Sequence, residues 1–207
     1  MIPMLQKFKK LLEKIKRRRY YNQLKIRSPH EYKLFELKYK GAQIGENCLI
    51  MSSVTVADPV LVTIGNNVII SGYSYLLTHD GSSAIFYEAK DKFVYGKIKI
   101  GHNVFIGIGS ILLPGVEIGD NVIVGAGSVV RGKIPNNSVV MGNPAKIVFK
   151  TSVAKKLLIN HRNLLQSDIL LTDYEQDVML IEHFKISRKH FQKEFYLLDK
   201  CIQRKEK

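Results

Sequence analysis

A chain of 207 residues, 45% of them hydrophobic, is long enough for one substantial core with small appendages. Its two cysteines, Cys48 and Cys201, are too few for a disulfide framework and point to a reducing compartment; no apolar run reaches the roughly 20 residues of a membrane span. The formal charge of +14 is unevenly placed: residues 1–43 hold 13 Lys/Arg against 3 Asp/Glu, residues 44–150 hold 8 against 7, and residues 151–207 hold 11 against 8. A near-neutral middle argues against a nucleic-acid surface, which needs a basic stripe on the folded domain.

Residues 4–19, MLQKFKKLLEKIKRRR, place Leu5, Phe8, Leu11, Leu12 and Ile15 on one face of a basic amphipathic helix. Such a face either packs on protein or docks on an anionic membrane. The N-terminus lacks the apolar core of a signal peptide, so a cytoplasmic protein is expected, with the arm peripheral on the inner face of the membrane. A second helical pattern runs around residues 29–40.

From Ile44 the period becomes six. The blocks IGENCL, IMSSVT and VADPVL are followed by a two-residue offset (Val62, Thr63), and then by IGNNVI, ISGYSY and LLTHDG. Residues 82–99 interrupt the pattern. It resumes over 100–135 as six blocks in phase, with aliphatic first positions (Ile100, Ile106, Leu112, Ile118, Val124, Val130) and small or β-branched fifth positions. Neither a helix nor an alternating strand has this period. A parallel β-helix does: three blocks close a coil, the first positions stack inside, and glycines turn the corners. Counting blocks gives about four coils and one long inserted loop. The stretch 134–148, with Pro135 and Pro144, closes the solenoid. Beyond Thr151 the pattern turns helical, with a capping box at Thr172–Glu175 and a last helix after Ser187. Three regions result: the helical arm 1–43, the solenoid 44–150 with its loop 82–99, and a helical region 151–207. The fold class is an all-β solenoid with helical appendages.

With its repeats, its LLTHDG corner and loop, and the closing IPNNSVVMGNPAKIV, the chain resembles the left-handed β-helix hexapeptide-repeat acyltransferases over roughly residues 41–150. Among these it looks most like the O-acetyltransferases of polysaccharide and lipopolysaccharide clusters. The resemblance implies a homotrimer, active sites between subunits, acetyl-CoA as acyl donor and no metal. It makes His79 the general base. A sugar hydroxyl is a poor nucleophile, and an imidazole can take its proton during attack on the thioester. Asp80 either orients that ring or binds an acceptor hydroxyl, and Glu88 is a weaker candidate. Gly107 and Ala126 map onto the corners along the pantetheine arm, and Lys146 onto the site of the CoA phosphates, with Arg131 and Lys133 as helpers. Met51-Ser52-Ser53 replaces the asparagine-rich coil of the maltose and galactoside enzymes, so their acceptor contacts do not carry over.

The leading expectation is acetyl transfer to a hydroxyl of a bacterial surface sugar or its precursor. N-acetylation of an amino sugar nucleotide, or acetylation of a small antibiotic, uses the same scaffold. A zinc β-helix of the carbonic anhydrase kind needs three imidazoles, and the repeats hold only His79 and His102. A silent trimeric scaffold at the membrane is the non-enzyme alternative.

Overall fold

The computed structural model describes residues 28–164, together with Gln23. The expected helices over residues 4–19 and beyond residue 165 lie outside the described residues. The chain divides into two units after Ile159. In the second, the described residues form a short turn in which the Leu164 N–H donates to the His161 carbonyl at 2.9 Å.

Within the first unit, helix α1 (Pro29–Tyr39) has proline in its first turn and Glu36 paired with both Lys33 (3.3 Å) and Lys40 (2.6 Å). Leu37 is its buried residue. The helix packs against β1 (Gln43–Ile44) and β2 (Leu49–Ile50), covering the first coil and its exposed strand edges.

The first coil continues with β3 (Thr55–Val56), and the second runs through β4 (Val62–Ile64), β5 (Val68–Ile70) and β6 (Tyr75–Leu76). An antiparallel pair, β7 (His79–Asp80) with β8 (Val94–Tyr95), forms the neck of the inserted loop. Two further coils follow: β9 (Ile98–Ile100), β10 (Val104–Ile106) and β11 (Ile111–Leu112), then β12 (Glu117–Ile118), β13 (Val122–Val124) and β14 (Val129–Val130). The next turn begins with β15 (Lys133–Ile134) and ends in an antiparallel hairpin, β16 (Ser138–Gly142) and β17 (Ala145–Lys150), before α2 (Thr151–Ile159).

The strands stack into three sheets, β1-β4-β9-β12-β15, β2-β5-β10-β13-β16-β17 and β3-β6-β11-β14. All pairs in them are parallel except the final hairpin. This is a parallel β-helix with three faces, and it fits the left-handed class. Its core is three aliphatic ladders, of which Val56, Leu76, Leu112 and Val130 make one. The fifth positions also point inward: Val104, Val116 and Val122 are buried, as are Ser74, Ser110 and Ser128. Each buried serine hydroxyl donates to a corner carbonyl, Ser110 to Gly107 at 2.7 Å and Ser128 to Gly125 at 2.6 Å.

Two placements differ from the sequence reading. Val62 and Thr63, the offset in the block count, lie within a strand, and Val62 is buried. The two extra residues sit upstream in the corner 57–61, where Pro59–Leu61 make a single tight turn. Twenty residues thus separate Val56 from Leu76, against eighteen from Leu112 to Val130. The loop is also shorter than 82–99, because Ile98 and Ile100 are core residues of β9.

At the corner between the first and second faces, Asn67, Asn103, Asn121 and Asn137 have φ of 54–60°, the left-handed region that asparagine tolerates. Their amides form a chain, Asn103 to Asn121 and Asn121 to Asn137, each at 3.1 Å. Asn121→Ala loses both the ladder and the tolerance of this backbone, whereas Asn121→Gly loses only the ladder. Urea unfolding should find the alanine variant about 1–2 kcal/mol less stable than the glycine variant. Equal losses would place the whole effect in the amides.

Candidate active site

The corner between the third and first faces holds Asp58 in the first coil and His79 in the second. Because Val56 pairs with Leu76, Asp58 stands across from Thr78. The Asp58 backbone N–H donates to Thr78 Oγ1 at 3.1 Å, and the Thr78 hydroxyl donates back to Asp58 Oδ2 at 2.7 Å. Thr78 is fully buried, so this reciprocal pair is fixed to the coil. The same Oδ2 lies 2.7 Å from His79 Nδ1.

The Thr78 hydroxyl, and after it the His79 ring, hold the Asp58 carboxyl below the usual carboxylate range. An ionised Asp58 only accepts, so Nδ1 carries the proton and donates it. That leaves Nε2 of the neutral ring as an acceptor with a free lone pair. The imidazole is 37% exposed, and its ring hydrogen bond is made at Nδ1, with none at Nε2 among the described residues. Phe93 meets the ring edge-on at a centroid distance of 5.8 Å, and Tyr95 lies tilted at 5.6 Å.

Asp80 does not take the orienting place. Its Oδ1 accepts the Ser82 backbone N–H at 2.8 Å, which lowers its carboxyl's pKa. Successive strand side chains point to opposite faces, so Asp80 starts the loop while His79 turns toward Asp58. Sequence reading missed Asp58 because it sits in an irregular block. The signal was available: adding the first coil's twenty residues to Asp58 gives Thr78, the neighbour of His79.

The other predicted residues spread along the solenoid. Gly107 is buried at the corner between the second and third faces, where an added Cβ would lie 2.8 Å from Ala126 Cα. Its N–H donates to Val124 and its carbonyl accepts from Ser74 and Ser110, so the coil itself engages both groups. Ala126 is exposed on the next coil. Gly107 is level with Ser71 of His79's own coil, eight residues before His79, so this corner and His79 occupy opposite edges of the third face. One chain does not bring them together.

Arg131 is exposed and lies in the same corner column as His79. It is two rungs from Leu77 through the Leu76–Leu112–Val130 ladder, about 10 Å at the spacing of paired strands. Lys146 is exposed on β17 opposite Met141, whose side chain packs beside Gly125. It therefore stands near the Gly107–Ala126 corner. Lys133 pairs instead with Glu117 at 3.2 Å. Glu88 is exposed in the loop. His102 lies at a different corner, where its Nδ1 accepts the Asn66 N–H at 3.0 Å.

An oriented imidazole with a free Nε2 at an open corner can accept a proton from a hydroxyl. Residues 97–132 match the family model of bacterial transferase hexapeptide (six repeats). Over 159 residues the chain is 39% identical to Protein CapG of Staphylococcus aureus, covering 74% of this chain and 90% of that protein. The chain belongs to the bacterial hexapeptide transferase family and is an acetyltransferase. It is similar also to the putative lipopolysaccharide biosynthesis O-acetyl transferase WbbJ of Escherichia coli (33% identity, 54% of this chain and 62% of that protein). Among solved structures, the hexapeptide-repeat acetyltransferase VCA0836 of Vibrio cholerae, complexed with acetyl coenzyme A, is 30% identical. That match covers 54% of this chain and 61% of the other, with a TM-score of 0.50.

Proposed function

We propose that this protein is an acetyl-CoA-dependent O-acetyltransferase acting on a hydroxyl of a bacterial surface polysaccharide sugar or its precursor. The observation that carries the reading is the 2.7 Å contact of His79 Nδ1 with Asp58, which leaves Nε2 free as a base. His79 takes the hydroxyl proton as the oxygen attacks the thioester carbonyl. The C–S bond then breaks and His79 returns the proton to the departing thiolate. Asp58 holds the ring and stabilises the imidazolium that forms between these steps. The acetyl-CoA complex of the Vibrio relative supports the donor, and the name of the E. coli relative supports a surface sugar as acceptor.

The donor lies along the Gly107–Ala126 corner of one copy, where Lys146 meets its phosphates, and Arg131, in the His79 column, helps from the neighbouring copy. Because that corner and His79 occupy opposite edges of one face, a second copy must supply one of them, which favours the homotrimer. Incubation with acetyl-CoA and a panel of sugars, sugar nucleotides and lipid-linked sugars should give O-acetylated products from a species of trimer mass by light scattering. A fully active monomer would remove the shared site, and products acetylated only on nitrogen would move the reaction to amines.

Residues 1–43 hold the enzyme at the inner face of the membrane. They carry +10 of the +14 formal charge, 13 basic against 3 acidic residues. No helix among the described residues is long and apolar enough to cross a bilayer. Each basic residue near an anionic surface contributes about 1 kcal/mol, screened by salt. Co-sedimentation with vesicles should rise with anionic lipid, fall with salt and vanish on deleting residues 1–19. Unchanged sedimentation of the deletion variant would leave the arm as a packing element.

A further inference from the structure

The neck of the loop places two large aromatic rings beside the base and leaves them in water. Tyr95 sits directly across from His79 in the β7–β8 pair and is 61% exposed; Phe93 is 53% exposed. Their centroids are 6.4 Å apart, and each lies within 6 Å of the imidazole. Neither ring is loosely hung. Gly81 clears the space beside Phe93, where an added Cβ would lie 2.9 Å from Cε1. The Gly96 N–H, next to Tyr95, donates to the Thr78 carbonyl at 2.8 Å, and Gly96 packs so closely on Pro114 and Gly115 that no side chain fits. The coil thus fixes an aromatic wall that no core packing requires, and the Tyr95 hydroxyl has no hydrogen-bond partner among the described residues.

Reaction geometry says what the wall faces. An acceptor hydroxyl must come within about 3 Å of His79 Nε2 to give up its proton. The ring carrying that hydroxyl is then within reach of the Phe93 and Tyr95 faces. An aromatic face is negative and attracts polarised C–H groups, and a pyranose presents such groups together on one side. An open-chain polyol offers the same hydroxyls without a flat apolar side.

We infer that Phe93 and Tyr95 form the acceptor platform of the active site, selecting pyranose rings by stacking and so determining specificity. This inference rests on the proposed acetyltransferase reading. The probes are methyl pyranosides of glucose, galactose, mannose and their N-acetylamino forms, each compared with its alditol. Pyranosides should be acetylated in preference to alditols. Tyr95→Leu and Phe93→Leu should each raise the pyranoside KM by about 3- to 10-fold, with the effect falling on that KM rather than on the acetyl-CoA KM or kcat. Tyr95→Phe, which keeps the ring, should stay near wild type. Saturation-transfer NMR with the same glycosides reads binding without turnover, and should show the signal lost in the leucine variants.

A rise confined to the acetyl-CoA KM would assign the wall to the donor and overturn the inference. So would pyranosides that neither bind nor react, or leucine variants indistinguishable from wild type. Failure of the function itself reads differently: His79→Ala would keep normal turnover whatever the Tyr95 variants do.

Discussion

His79→Ala should lower turnover by roughly 10²–10⁴, the usual contribution of a positioned general base. The fold should survive the change. The imidazole is 37% exposed, its strand is two residues long, and its one hydrogen-bond partner, Asp58 Oδ2, remains held by the buried Thr78 hydroxyl. Acetyl-CoA affinity should change little, because the proposed donor corner lies on the far edge of the third face. The site left behind is open to solvent, so added imidazole should restore part of the lost rate. A trimeric His79→Ala protein that binds acetyl-CoA and turns over near normally would end the mechanism.

The solenoid was legible because its period is a covalent fact: aliphatic residues every sixth position must stack if the chain is to bury them. The buried ladders Ile106–Val124 and Leu112–Val130 are the register that such spacing requires. His79 was singled out by the resemblance, through the THD motif that it shares with Thr78 and Asp80 in the last regular block before an interruption. What the period could not show is any place where it breaks. Two extra residues in the corner 57–61 move Asp58 out of phase, and a reading by blocks leaves it as one acidic corner residue among several. The aromatic wall was hidden in the same way. Phe93 and Tyr95 lie in the interrupting segment, and only the β7–β8 pairing brings them back to the histidine. Irregularities in a strict repeat cost regular packing, and here two of them converge on one imidazole.

Asp58→Asn tests that convergence. The buried Thr78 hydroxyl donates to the oxygen that faces His79, so an asparagine at position 58 is expected to keep its carbonyl oxygen there and the Nδ1 proton in place. Only the charge is lost. A hydrogen bond to a charged group contributes about 1.5–3 kcal/mol, and the charge matters most when the imidazole has become imidazolium. Turnover should therefore fall by about 10- to 100-fold, less than for His79→Ala. Stability should respond to acid in a set direction. The Asp58 carboxyl is lowered in the folded protein, so at acid pH the unfolded chain binds the proton more readily. That share of stability is present above the ordinary carboxylate value of about 4 and is lost as pH falls through the folded value. Urea unfolding of Asp58→Asn should depend less steeply on pH across that acid range than wild type. Asp80→Asn supplies the control, because the Asp80 carboxylate serves the Ser82 N–H and not the imidazole. A larger loss of turnover from Asp80→Asn than from Asp58→Asn would return the orienting role to Asp80.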